Sequence, residues 1–280
     1  MKDTFTRVVS GLLLAALPAA GGAIVFESTG NLAAVTTTRD SFRTAIGGGT
    51  VAGANGSFGG VRREINWDGV PDGLSAPNNL PANFFNVNSP RGVVFSTPGT
   101  GFQVSANSGV APIQFDNINA GYSANFEPFS AQRLFTALGS TITDVNFFIP
   151  GSATASTTSA FGVVFSDVDL ANTSQIQFFD QNNNPLFSRF VLNTLGNESF
   201  SFLGVSFNAG EKIGRVRITS GNLVLGAGVN ENPTQTLAPP TDLVVMDDFI
   251  FAETATPEPS TLMLSLLGLL SIPIAKKFRL

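Results

Sequence analysis

The chain has 280 residues, 43% hydrophobic and only 12% charged, with a net charge of −5, which excludes a disordered polar tail and a coiled coil, since both need far more charge. It contains no histidine and no cysteine, so Ser-His-Asp and Cys-His catalysis, His-ligated zinc, iron–sulfur clusters and disulfides are ruled out. No lysine or arginine cluster stands outside the extreme C-terminus, so nothing is placed to neutralise a phosphate backbone and nucleic acid is not an expected partner.

Residues 1–23 read as a signal peptide: Lys2 and Arg7, an apolar stretch at 8–17, then a small-residue region at 18–23. The apolar stretch is shorter than the ~20 residues of a spanning helix, and cleavage is expected after Ala20 or Ala23. Residues 24–253 show no long helical period. Short runs rich in Phe, Val and Ile recur there between Gly, Asn, Pro and Ser clusters, the pattern of one all-β domain, an antiparallel β-sandwich of jelly-roll-like type. A single short helix is expected at 40–46, started by Asp40 and ended by Gly47 to Gly49, with a mobile Gly-rich segment following to Gly60.

Strands are predicted at 61–67, 92–97, 101–106, 143–149, 160–166, 175–180, 186–192, 200–207, 213–219 and 243–251. Val216 and Ile218 alternate with Arg215, Arg217 and Thr219, as in a strand with one wet face. The turn residues 180–185 make the runs on either side a hairpin. Exposed loops are expected at 151–159 and 226–240. The 26 Phe residues stand against one Trp and one Tyr, which suits core filling better than a stacking platform for ligands.

The chain closes on Thr256-Pro257-Glu258-Pro259-Ser260-Thr261, an apolar run at 262–275 and the basic stop Lys276-Lys277-Phe278-Arg279-Leu280. The apolar run can enter a bilayer while Lys276, Lys277 and Arg279 stay at the cytoplasmic face. A Pro-Glu-Pro triplet, a hydrophobic segment and a terminal basic cluster, in that order, resemble the PEP-CTERM sorting signal of exported bacterial proteins. That resemblance assigns 254–280 to a sorting and anchor tail. It implies an exosortase-type enzyme that reads Pro257, Glu258 and Pro259, a place in the cell envelope or secreted extracellular matrix, and an association with exopolysaccharide. The stretches 63–70, 161–169 and 245–249 also look similar to segments of other PEP-CTERM proteins, without supplying an activity.

Two acidic pairs invite a calcium reading: Asp167 and Asp169 at the end of one predicted strand, and Asp247 and Asp248 inside another. In 244–251 both strand faces are apolar, so at least one of Asp247 and Asp248 must point toward a core or its rim. A buried carboxylate needs an arginine, backbone N–H groups or a cation such as Ca²⁺. Jelly-roll sandwiches, many carbohydrate-binding modules among them, resemble this in placing acids on the last strand beside the first; by that likeness Glu27 is a third candidate ligand for calcium.

The densest charged stretch surrounds the only tryptophan, where Trp67 can stack on a sugar with Arg62, Glu64 or Asp68 on its hydroxyls, or else fill the core. Glu64, Asp68, Glu127 and Glu211 are eligible for carboxylate-based glycan hydrolysis or lysis only if they converge. The sequence therefore reads as an exported, non-enzymatic structural or adhesive protein, with a calcium-stabilised carbohydrate-binding module as the alternative.

Overall fold

The computed structural model describes residues 22–49, 52–107 and 109–255. Most of the expected signal peptide lies outside the described residues, as does the tail carrying Pro257, Glu258, Pro259, Lys276, Lys277 and Arg279. No helix among the described residues is long and apolar enough to cross a membrane.

In chain order the elements are β1 (Ala23–Gly30), α1 (Leu32–Ile46), β2 (Ser57–Phe58), β3 (Arg62–Ile65), α2 (Phe84–Val87), β4 (Val93–Ser96), β5 (Gly101–Val104), β6 (Phe135–Leu138), β7 (Ile142–Phe147), β8 (Ala160–Ser166), β9 (Gln175–Phe179), β10 (Pro185–Phe190), β11 (Phe200–Phe207), β12 (Arg215–Thr219) and β13 (Val245–Ala252). They form two antiparallel sheets, so the all-β sandwich expected from the sequence is present. One sheet has eight strands in the order β1-β11-β8-β13-β3-β2, with β6 on β13 and β5 beyond it; the other has five, β10-β9-β12-β7-β4.

The main core lies between the sheets and is aromatic. Trp67 stacks on Phe135 with ring centroids 4.0 Å apart, and Phe85 and Phe249 pack against it nearly at right angles. The central strands β8 and β13 are buried along their whole length. Their inner faces carry Phe161, Phe249 and Phe251 into this core, while Val164 and Ile250 face outward to a second one under α1. Burial on both faces explains why these two strands read as continuous apolar runs. By contrast β12 keeps the alternation expected of it, with Val216 and Ile218 buried between half-exposed neighbours. The predicted hairpin is β9–β10, closed by Asp180, whose carboxylate accepts from the Asn182 and Asn184 N–H groups.

Helix α1 begins eight residues before the expected start at Asp40. The Asn31 side chain accepts from Ala34 N–H at 3.1 Å, and Gly47, at φ +81°, ends the helix as predicted. The early start escaped the sequence because the helix inserts just two fully buried side chains, Val35 and Phe42, too few for a clear 3.6-residue period. Phe42 lies over the cross-strand pair Gly162–Gly204. A Cβ on either glycine would come within 2.9 Å of the Phe42 ring, so those two positions form the flat seat on which α1 rests.

Three further expectations are corrected. The Gly-rich segment expected to be mobile up to Gly60 is tied down at its end, where Ser57 and Phe58 pair with Arg63 and Arg62. The stretch 151–159 is not exposed throughout: Ser156, Thr157 and Thr158 are buried, and Thr158 bridges to Ile213. Strand β1 does not lie beside the last strand; it is the sheet edge on β11, separated from β13 by β11 and β8.

Candidate metal centre and an arginine-lined cleft

At the end of β8 the chain turns sharply at Asp167, which adopts φ +72°, a region that Asp tolerates better than most residues. Val168 enters the main core, and Asp167 and Asp169 meet Glu231 from the long loop before β13. One carboxylate oxygen from each of the three lies within 4.8 Å of the other two.

The outer members have protein partners. Asp169 accepts from Gly196 N–H at 2.6 Å, and Glu231 accepts from Leu243 N–H at 2.9 Å and from the Asn125 amide. Buried Asp242 braces the turn by accepting from the Asp169 and Leu170 N–H groups and the Thr173 hydroxyl. Asp167 differs: its side chain is 0% exposed and neither of its oxygens reaches a donor among the described residues.

Burial first, then the charges of Glu231 and Asp169, push the Asp167 carboxyl up to about 10. Burial also raises Glu231 and Asp242. An arrangement with this electrostatics is relieved in one of two ways: Asp167 keeps a proton and shares it with Glu231, or a cation sits among the three. Hard carboxylate oxygens without nitrogen or sulfur donors suit Ca²⁺.

Asp247 and Asp248, expected as calcium ligands, belong to a separate network. Met246 and Phe249 both face the main core although they are three residues apart, because the register with β8 slips between them. That bulge removes the two acids from the ladder. Asp247 accepts from the Phe129 and Ser130 N–H groups at 2.7 and 2.9 Å, from the Ser130 hydroxyl and from Asp248 N–H. Asp248 takes Arg39 from α1 at 3.1 Å, with Arg43 at 3.7 Å. The partners are thus backbone N–H groups and arginines, two of the three kinds expected. Burial raises both acids, Asp248's charge adding to the shift at Asp247, whereas Arg39 and Arg43 oppose it at Asp248.

Glu27 is also placed differently from expectation. It pairs with Arg189 across the adjacent sheet edges, away from the last strand.

The predicted ligand surface around Trp67 divides. Trp67 is a core residue, 1% exposed, and has no face for a sugar. Arg62 and Glu64 are buried and paired at 2.9 Å, and Glu64 also takes Arg43 at 2.5 Å. Asp68 accepts from the Asn66 amide and is pushed up to about 6, by burial first and then by the charge of Asp248.

These pairs floor a cleft of about 680 Å³ between α1, the β2–β3 hairpin and β13, lined by Arg39, Arg43, Arg62 and Arg91 together with Asp40, Glu64 and Asp248. The sequence offered little sign of Glu231, Asp242 or Arg91, which stand alone in loops. Arg39 and Arg43 lie four apart, one face of a helix, and an earlier helix start would have exposed them as a pair.

No family model and no curated protein matches the chain. Among solved structures there is a likeness to the enzymatically active domain of tailspike protein 4 of bacteriophage CBA120, with 14% identity and a TM-score of 0.24 over 66% of this chain. The likeness spans 21% of that protein's chain, and so distant a match carries no statement about activity.

Proposed function

We propose that this chain is an exported bacterial envelope or extracellular-matrix protein, sorted through a PEP-CTERM-like tail, whose β-sandwich is a non-enzymatic structural or adhesive module stabilised by one calcium ion. The observation that carries the reading is Asp167, a fully buried carboxylate with two unpaired oxygens facing two further acids. Calcium at Asp167, Asp169 and Glu231 would convert a repulsive cluster into a clamp joining the end of β8 to the loop before β13. Extracellular calcium modules bind at about 10⁻⁴–10⁻³ M, a range that matches the exported location argued from the chain ends.

Export is supported by the order of charged, apolar and small residues at 1–23. Ala23 pairs with Phe207 in β1, so processing after Ala20 keeps that strand whole. The non-enzymatic reading is supported by Glu64, an eligible acid, being held by Arg43 and Arg62. Fractionation of cells that carry an exosortase tests the sorting step. Wild-type chain is expected in the envelope or medium, and a chain with Pro257, Glu258 and Pro259 all changed to Ala is expected to accumulate unprocessed at the inner membrane. Identical distribution of the two would overturn the sorting proposal.

A further inference from the structure

Four of the arginines converge on the cleft between α1, β3 and β13, in a chain whose net charge is −5. Against them the lining sets three carboxylates, Asp40, Glu64 and Asp248, so the cleft holds one positive charge in excess. Three of its arginines are matched: Arg39 by Asp40 and Asp248, Arg43 by Asp40 and Glu64, Arg62 by Glu64. Arg91 has no carboxylate partner among the described residues.

The Arg91 guanidinium is nevertheless held firmly. Its Nε–H donates to the Glu64 carbonyl at 2.8 Å, Nη1 donates to the Ser89 hydroxyl, and the group lies 5.0 Å from the centroid of the Phe85 ring. Nη2 has no acceptor among the described residues. Gly56, at φ +65°, is part of this seat, because a Cβ there would collide with Arg91 Nε. Burial, and then the neighbouring charge of Arg63, pull Arg91 down to about 10. A half-buried cation without a counter-ion is costly, and its fixed planar fork suits a carboxylate.

We propose that this cleft binds a carboxylate-bearing saccharide, a uronate unit, with the carboxylate on Arg91 and the hydroxyls on the polar groups around it. The single excess charge matches a monoanion and would leave a phosphate dianion half neutralised. Hydroxyl partners stand nearby in the half-exposed Asp40 carboxylate, the Thr44 hydroxyl and exposed Asn66. The volume lies within the range of about 300–1,000 Å³ typical of small-ligand sites. This inference is independent of the metal centre.

Titration calorimetry on the full-length protein in mild detergent, with calcium held constant, tests it. The probes are galacturonate, its methyl ester and inorganic phosphate. Galacturonate is expected to bind, with the ester at least about tenfold weaker. Arg91→Gln should lose binding by a similar factor, and Arg91→Lys should recover only part of it because the fork is gone. Asn66→Trp, an exposed change that leaves the packing of Arg91 intact, should block the cleft if Arg91→Gln fails to fold. Asp167→Asn should bind the uronate as the wild type does, which separates failure here from failure of the calcium reading. Equal binding of acid and ester, tighter binding of phosphate, no binding of galacturonate at millimolar concentration, or unaltered binding by Arg91→Gln or Asn66→Trp would each overturn the proposal.

Discussion

Replacing Asp167 by Asn is the sharpest perturbation of the acidic cluster. The amide has nearly the shape of a protonated carboxyl, so it relieves the repulsion from Asp169 and Glu231 without opening a cavity, but it removes the charge a cation needs. For the wild type, taking a dissociation constant of about 10⁻⁴ M, about 10 mM calcium is a hundredfold excess and stabilises the folded state by about 2.7 kcal/mol. For a domain of this size each kcal/mol moves Tm by about 2–4 °C, so the expected rise is about 5–11 °C. Differential scanning fluorimetry of the full-length chain in calcium and in chelator reads this directly. Asp167→Asn is expected to melt in chelator at or above the wild-type temperature and to gain nothing from calcium. Were the proton shared between Asp167 and Glu231 the whole explanation, the wild type would not respond to calcium either. Equal wild-type melting temperatures in the two buffers would refute the metal reading, as would an undiminished response in the variant.

The pH dependence follows from the same residue. Folded Asp167 keeps its proton to about 10 but unfolded it titrates in the ordinary aspartate range, so the folded state binds more protons between these values and its stability falls as pH rises through that window. In chelator, Tm should therefore decline from weakly acidic to alkaline pH, and calcium should flatten the slope by replacing the proton; a rising Tm in chelator would contradict the assignment. At the helix seat, Gly204→Val pushes a branched side chain into Phe42 and should cost about 1–3 kcal/mol, as overpacking does, read by urea unfolding. Trp67 is the only tryptophan, so its fluorescence reports the core: emission should be blue-shifted and unmoved by saccharide, and Trp67→Ala should destabilise by about 3–5 kcal/mol. Asp248→Ala leaves Arg39 without its buried partner and is expected to destabilise by about 3–5 kcal/mol, whereas a loss below about 0.5 kcal/mol would show that the pair does not hold α1 to the sheet.

Much of the fold was legible because strand signals are local. The limits of β8 and β11 coincide with the apolar runs 160–166 and 200–207, the alternation in β12 marks its wet face, and residues 180–185 close the predicted hairpin. The sequence also determined that Asp247 and Asp248, placed in a run apolar on both faces, needed partners. Which partners they found was decided by tertiary structure: the bulge in β13 sends Asp247 to the 129–130 backbone and Asp248 to α1. The same holds for Trp67, which by sequence could face a ligand or fill the core and which packs in the core with Ile65, Phe135 and Phe249. Two of the three acids of the cluster, Asp167 and Asp169, could be named from adjacent residues, but Glu231 arrives from a remote loop that no local period announces. Glu27 was misplaced because strand order is set by long-range packing of one apolar face on another, while sequence pattern reports the faces and not their neighbours. Arg91 became a candidate only once the other three arginines of the cleft were seen to have carboxylates and it had none among the described residues.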